Sequence, residues 1–288
     1  MDSQQQKLYQ QIQDLHQRIN ELAEQQPPWK PESAREEDES NPSGHRTYYA
    51  AFRHIAVAHD HLSECYRMLT EGPIGITTPY TLLRPALESS LWSIWLLDPP
   101  SSATRRKRGL WMEIKDIKNR LQFTEDLSKL REAQDCQTED VARLNEVFKT
   151  EAESLGCSYA GLDNKGPITS NRGGGTKKTT PIDRKSCKLT KEIENLAWLS
   201  YQPSITTLIR AQWRFLSGYE HGMSWSLCLG SDHTNAEETP KGRTSIISVN
   251  DAILMESFNT CLYTINASLV LFLDRCGILV GDRRPDRA

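Results

Sequence analysis

YTLLRPALESSLWSIWLL, residues 80–97, is apolar on almost every side when wound as a helix, so it belongs at the centre of a helical bundle. Thr78 followed by Pro79 marks its start, because a proline in the first turn gives up no hydrogen bond. Asp98-Pro99-Pro100 marks its end. Arg84 and Glu88 are its only charges, and their spacing makes them neighbours on one face, with Tyr80, Leu91 and Trp95. A buried ion needs a partner. The two are therefore expected to pair, either as a lock on helix register or as part of a site. Pro85, between them, removes a backbone hydrogen bond and predicts a kink.

Outward from this helix, almost everything between Gly44 and Gly277 reads as helix. One segment runs from Gly44 to about Thr70. A strongly charged one starts at Ser102 and reaches about Ala133, and Thr138 caps another that reaches Leu155. Further helices are expected from about Thr190 to Leu199, from Ser204 to about Leu229, and from a capping box at Ser248 and Asp251 to Gly277. RTSIISV (243–249) reads as a short strand. Residues 156–187 interrupt the pattern with glycine and proline, and carry Lys165, Arg172, Lys177, Lys178, Arg184 and Lys185. The organisation is thus an N-terminal amphipathic helix (1–26), an acidic linker (27–43), an all-α bundle (44–277) with a flexible basic insert (156–187), and a tail (278–288).

The N-terminal helix has the cleanest period. Leu8, Ile12, Leu15, Ile19 and Leu22 recur at steps of four and three, with isoleucine at one seam position and leucine at the other, as in parallel two-stranded coiled coils. Pro27 and Pro28 end it. Two outcomes are open: the seam lies on the chain's own bundle, or the linker holds it away and a second copy covers it. Either fits a chain expected to form a homodimer.

Composition narrows the class. The 288 residues are 37% hydrophobic and 25% charged, with net charge −3, which are globular values. The uncharged run Ser257–Leu273 is short and broken by polar residues, so no membrane span is expected. The N-terminus lacks the basic start and apolar stretch of a signal peptide. Seven cysteines without a CxxC pair suit reduced thiols in the cytoplasm.

Three constellations bear chemistry. On RAQWRFLSGYEHGMSW (210–225), Arg210, Arg214, Gly218, His221 and Trp225 fall in one stripe of a continuous helix. Arginine is shaped for phosphate, histidine exchanges a proton near neutrality, and tryptophan offers a stacking face. Gly218 costs helix stability and fits a close approach by a ligand or a second backbone. On HIAVAHDHLSE (54–64), His54, His61 and Glu64 are potential metal ligands, but no second helix repeats the pattern, so no metal or cofactor is expected. The charged helix from Ser102, with Arg105, Arg106, Lys107 and Arg108, joins the basic insert as a candidate track for a phosphate backbone.

RFLSGYEHG (214–222) matches the Arg-x4–6-His signature of HEPN domains (higher eukaryote and prokaryote nucleotide-binding), with six residues between Arg214 and His221. The pairing of LLRPALESSLWSIWLL with LSGYEHG also resembles HEPN-related helical families frequent in actinobacteria. The resemblance covers roughly residues 45–100 and 195–276. It implies an all-α HEPN-like helical bundle that dimerises, and a metal-independent endoribonuclease of defence or toxin–antitoxin type. Arg214 would orient phosphate, His221 would act as general acid or base, and the RNA 2′-hydroxyl would attack. Arg210, Gly218 and Trp225 would complete the substrate surface, with Arg84 and Glu88 nearby. An antitoxin or another protein partner is implied as well. Phe215 departs from the pattern, since active members often carry a polar residue after the arginine. The alternative is a non-catalytic helical module that binds a nucleotide or a protein through the same stripe.

Overall fold

The computed structural model describes residues 3–24, 29–71, 75–130, 141–159, 161–162, 168–170, 181–182, 189–200, 203–239 and 242–278. Within them the fold is all-α, with a few short strands. The elements are α1 (Ser3–Glu24), α2 (Ala34–Glu39), α3 (Gly44–Glu71), α4 (Thr78–Leu97), α5 (Ser102–Leu130), α6 (Val141–Ser154), β1 (Cys157–Tyr159), β2 (Ile168–Ser170), β3 (Pro181–Ile182), α7 (Leu189–Glu192), α8 (Ala197–Ser200), α9 (Pro203–Glu220), α10 (Ser224–Leu229), β4 (Ser231–Thr239), β5 (Gly242–Val249) and α11 (Asp251–Arg275), with a 3-10 turn, Ile193–Asn195, between α7 and α8. No helix among the described residues is long and apolar enough to cross a membrane.

α4 lies where its composition puts it, packed against α3, α11, α9 and α5. From Tyr80 to Leu97 only Thr81, Leu82, Pro85 and Glu88 escape full burial. The helix runs on through Pro85. Ser90 is satisfied across the α4–α11 contact, its Oγ donating to Thr264 Oγ1 at 2.9 Å while Thr264 back-bonds within α11, whereas the buried Ser93 Oγ finds no partner. α11 begins at Asn250, whose side chain accepts the Ile253 amide at 3.0 Å, so the cap is Asn250 and not the expected Ser248. It ends at Gly277, whose positive φ of 69° lets the chain turn back.

One open alternative is decided and two expectations need correcting. First, the seam of α1 is covered by its own chain: Leu8, Ile12, Leu15, Ile19 and Leu22 are all at most 8% exposed, and α1 packs on α3. A helix held away from the bundle by its linker is therefore not what forms. Second, the acidic linker contains α2, capped by Ser33 Oγ, which accepts the Glu36 amide. Asp38 of this helix is fully buried. Third, the helix expected across 190–199 breaks at Leu196, because Asp98 caps a new one by accepting the amides of Ala197 and Trp198 at 3.1 and 2.6 Å.

Strand content is also larger than the sequence suggested. β5 contains the predicted 243–249 strand, and it pairs antiparallel with β4 from Ser231↔Val249 to Thr239↔Gly242. The insert holds the three-stranded order β1-β2-β3. Its basic residues Lys165, Arg172, Lys177, Lys178, Arg184 and Lys185 lie outside the described residues, as does the tail beyond Ile278.

The basic run at the start of α5 turns inward. Arg105 and Arg106 are buried, and Arg108 donates to the Trp95 carbonyl while lying over the Trp95 ring at 4.5 Å. Lys115 caps the Trp92 and Trp111 faces at 5.1 and 5.4 Å. These cations hold helices together, so the N-terminal half of α5 is not a track for phosphates.

Candidate functional site

The stripe of α9 survives, though by a different route from the continuous helix expected. α9 stops at Glu220 with a glycine-centred cap: the Met223 amide donates to Gly218 O at 2.8 Å, and the Gly222 amide to Tyr219 O at 3.1 Å. Gly222 supplies the positive φ of 63° that this turn requires. His221 is thus the last residue of the helix end, and Trp225 belongs to α10, which folds back along α9.

Gly218 is what lets it do so. A Cβ there would lie 2.8 Å from Ser226 Cβ and 2.9 Å from Trp225 Cζ2. The close approach permitted by Gly218 is therefore made by α10 of the same chain, and not by a ligand or a second copy. The consequence for the surface is direct. The Trp225 indole is seated on Gly218, and along the helix Arg214 precedes that glycine by one turn and His221 follows it by nearly one, the two positions about 10 Å apart along the axis. Arg214, His221 and Trp225 are all exposed, Trp225 to 48%. Beside them Met223 and Leu229 extend the apolar part of the surface at 49% and 57% exposure.

Phe215 is buried beneath this surface, its ring 6.4 Å from that of Trp225. It meets the rings of Tyr80 and Tyr219 edge-on at 5.4 and 5.3 Å, with Tyr80 and Tyr219 stacked at 4.1 Å. The residue after the motif arginine is thus a core aromatic that fixes α9 on α4.

Arg210 leaves the expected set, since it forms an ion pair with Glu194 at the 3-10 turn. Arg84 and Glu88 do pair, at 3.1 Å, but only Arg84 is buried: its side chain is 7% exposed and that of Glu88 is 40%. Glu220 of α9 approaches the same guanidinium to 3.4 Å, and Trp213 lies beneath it at 4.3 Å. Both carboxylates lie within ion-pair distance, yet Arg84 Nε and Nη1 find no aligned hydrogen-bond acceptor. The pairing is electrostatic and loosely oriented. Trp213 and Glu220 are the residues that sequence reasoning missed. Their spacing of seven puts them on one face of α9, beside the stripe that was singled out, and that periodicity was available to find them.

The histidine-bearing segment of α3 holds no metal cluster: among the described residues no three His, Cys, Asp or Glu side chains converge. Burial pushes His54 down to about 4, whereas Glu64 is engaged by Arg67 at 2.5 Å. His59 stacks on His16 of α1.

Among the described residues an open groove of about 500 Å³ lies between α9 and α11, lined by Ile205, Leu208, Met255, Glu256 and Tyr263 among others. It lies toward the N-terminal half of α9, with Gln212 donating to Glu256 at 3.3 Å. Comparison with family models, with curated proteins and with solved structures returns no match.

Proposed function

We propose that this chain is a helical module that binds single-stranded RNA through the surface of Arg214, Trp225 and His221. The observation that carries it is the half-exposed indole seated on Gly218, on a helix that also exposes Arg214 one turn earlier and His221 at its end. A base has a flat face for Trp225, and the phosphate on either side of it meets Arg214 or His221. Exposed Met223 and Leu229 widen the stacking surface. Filter binding of a short labelled RNA tests the reading. Trp225→Ala should weaken binding by about 10- to 100-fold, which matches the 1–3 kcal/mol of one base stack. Arg214→Ala should lower the slope of log affinity against log salt by about one, as expected for one lost phosphate contact. Unchanged affinity in both variants would remove the platform from the binding surface.

A second reading adds catalysis, and the HEPN-type spacing of Arg214 and His221 on one exposed face favours it. In that reaction His221 takes the proton of the RNA 2′-hydroxyl, and the oxygen attacks the adjacent phosphorus while Arg214 holds the phosphate. The leaving 5′-oxygen takes up a proton, and a cyclic phosphate remains. Such sites in HEPN proteins are shared by two copies, and an antitoxin would be the natural partner of a toxin of this kind. Phe215 in the core and an imidazole with no described orienting partner place binding ahead of cleavage. Total RNA incubated with the protein in EDTA separates the two readings. Cleavage that disappears in His221→Ala supports the nuclease, and intact RNA with retained binding supports the module.

A further inference from the structure

α1 meets α3 through an apolar seam, a contact between the Tyr9 and Tyr66 rings, and a pair of histidines. The rings of His16 and His59 stack at 5.1 Å with their planes 27° apart, in the middle of the seam between Ile12 and Ile19. His16 is otherwise at the surface, where Asn20 Nδ2 lies 3.0 Å from its Nε2. His59 is 8% exposed and has Ser63 Oγ at 3.3 Å from its Nε2. Burial first, and then His16, push His59 below the ordinary histidine value of 6.5, against the backbone of Ile12 and the charge of Asp60, which favour its protonated form. Two stacked imidazoles tolerate each other while neutral. Two imidazolium ions at that distance repel.

The same seam has a second fitting partner. Ile12 and Ile19 occupy one seam position, and Leu8, Leu15 and Leu22 the other, which is the combination that favours two parallel strands. In such a pair the flanking positions would set Gln11 against His16 of the other copy, and Arg18 against Ala23. A charge on His16 therefore opposes His59 in the docked state but opposes no cation in the paired state. A proton shifts an equilibrium only through such a difference between the two states.

We infer that the Leu8–Leu22 face of α1 is an exchangeable interaction surface: it lies on α3, with His16 stacked on a neutral His59, and pairs with α1 of a second copy of this chain when His59 is protonated. The direction in pH follows from His59. A histidine whose value is lowered by docking binds its proton more readily in the released state, so docking is at full strength above about 6.5 and weakens as pH falls below it. None of Arg214, Trp225 or His221 takes part, so the exchange stands whether or not the chain binds RNA. Intramolecular docking wins at neutral pH because a pair of helices this short is marginal in water.

Hydrogen exchange and light scattering on the full-length chain, at about pH 7.5 and about pH 5.5, test the exchange. After correction for the intrinsic pH dependence of exchange, protection of residues 3–24 should fall by about tenfold at the lower pH, while α4 and α11 keep theirs. The monomer at high micromolar concentration should become a dimer under the same condition. His16→Gln, at an exposed position that leaves the seam intact, removes the smaller of the two causes that lower His59, and should lose less protection and dimerise less than wild type at the lower pH. Any of four results overturns the inference: α1 protected equally at both pH values, release in His16→Gln as in wild type, release without dimerisation, or loss of α4 and α11 protection together with α1.

Discussion

Arg105→Ala should cost about 3–5 kcal/mol of stability, and Asp38→Ala about the same, because each removes one half of a buried ion pair and strands the other. The two side chains are 1% and 0% exposed. Arg105 donates to both Asp38 oxygens, Nε at 2.6 Å and Nη2 at 2.9 Å, and its Nη1 reaches the Pro99 and Pro100 carbonyls at 2.9 and 2.8 Å. Tyr48 donates to Asp38 at 2.9 Å, and burial followed by the Asp38 charge pushes its hydroxyl up, so it stays a donor. With every polar atom engaged, the cluster ties α2 to α3, α5 and the turn after α4. For a chain of this size the loss corresponds to a melting temperature lower by roughly 6–20 °C. Arg105→Lys should rescue little, since an ammonium cannot reproduce the two-point contact. If Asp38→Ala melted like wild type, residues 34–39 would be an unanchored linker after all.

The second large effect appears only in combination. Glu88→Ala and Glu220→Ala should each cost under about 1 kcal/mol, because both carboxylates are half exposed and the other one remains beside Arg84. Together they leave Arg84, 7% exposed, with Trp213 alone, and the double variant should lose about 3–5 kcal/mol. Arg84→Met should lie within about 1 kcal/mol of wild type, since the acids return to water and the volume is kept. Chemical denaturation of the three acid variants decides the matter. Additive single costs would mean that Arg84 does not depend on either acid. The two charges of the pair are therefore not equivalent, since Arg84 is the buried partner and Glu88 lies at the edge.

The groups that matter here differ in how far the sequence reveals them. The burial of α4 was legible because its apolar residues occur on every side, and no partner needs to be known to see that. The period of α1 was equally plain, since its five seam residues repeat on the chain itself. Caps and stops at Thr78-Pro79, Asp98-Pro99 and Gly277 follow from backbone chemistry confined to a few neighbouring residues. The Arg214–His221 spacing belongs to the same class.

The expectations about packing that failed turned mostly on partners far away in the chain. Arg105 reads as one cation in a basic run, and only the arrival of Asp38, 67 positions earlier, makes it a core residue. Glu88 and Arg84 look equivalent on a helical wheel, but the bundle buries one and leaves the other at its edge. Gly218 announces a close approach without saying whose, and the turn at Gly222 assigns it to α10. The seam of α1 is compatible with two coverings, and its sequence cannot rank them, because the rank depends on a face of α3 already held nearby. Local periodicity and capping thus determined that this chain is an all-α bundle and which helix lies at its centre. Which charges are buried, which glycine meets which helix, and what covers α1 were decided by tertiary packing, because burial and pairing energies depend on groups that only folding brings within a few ångströms.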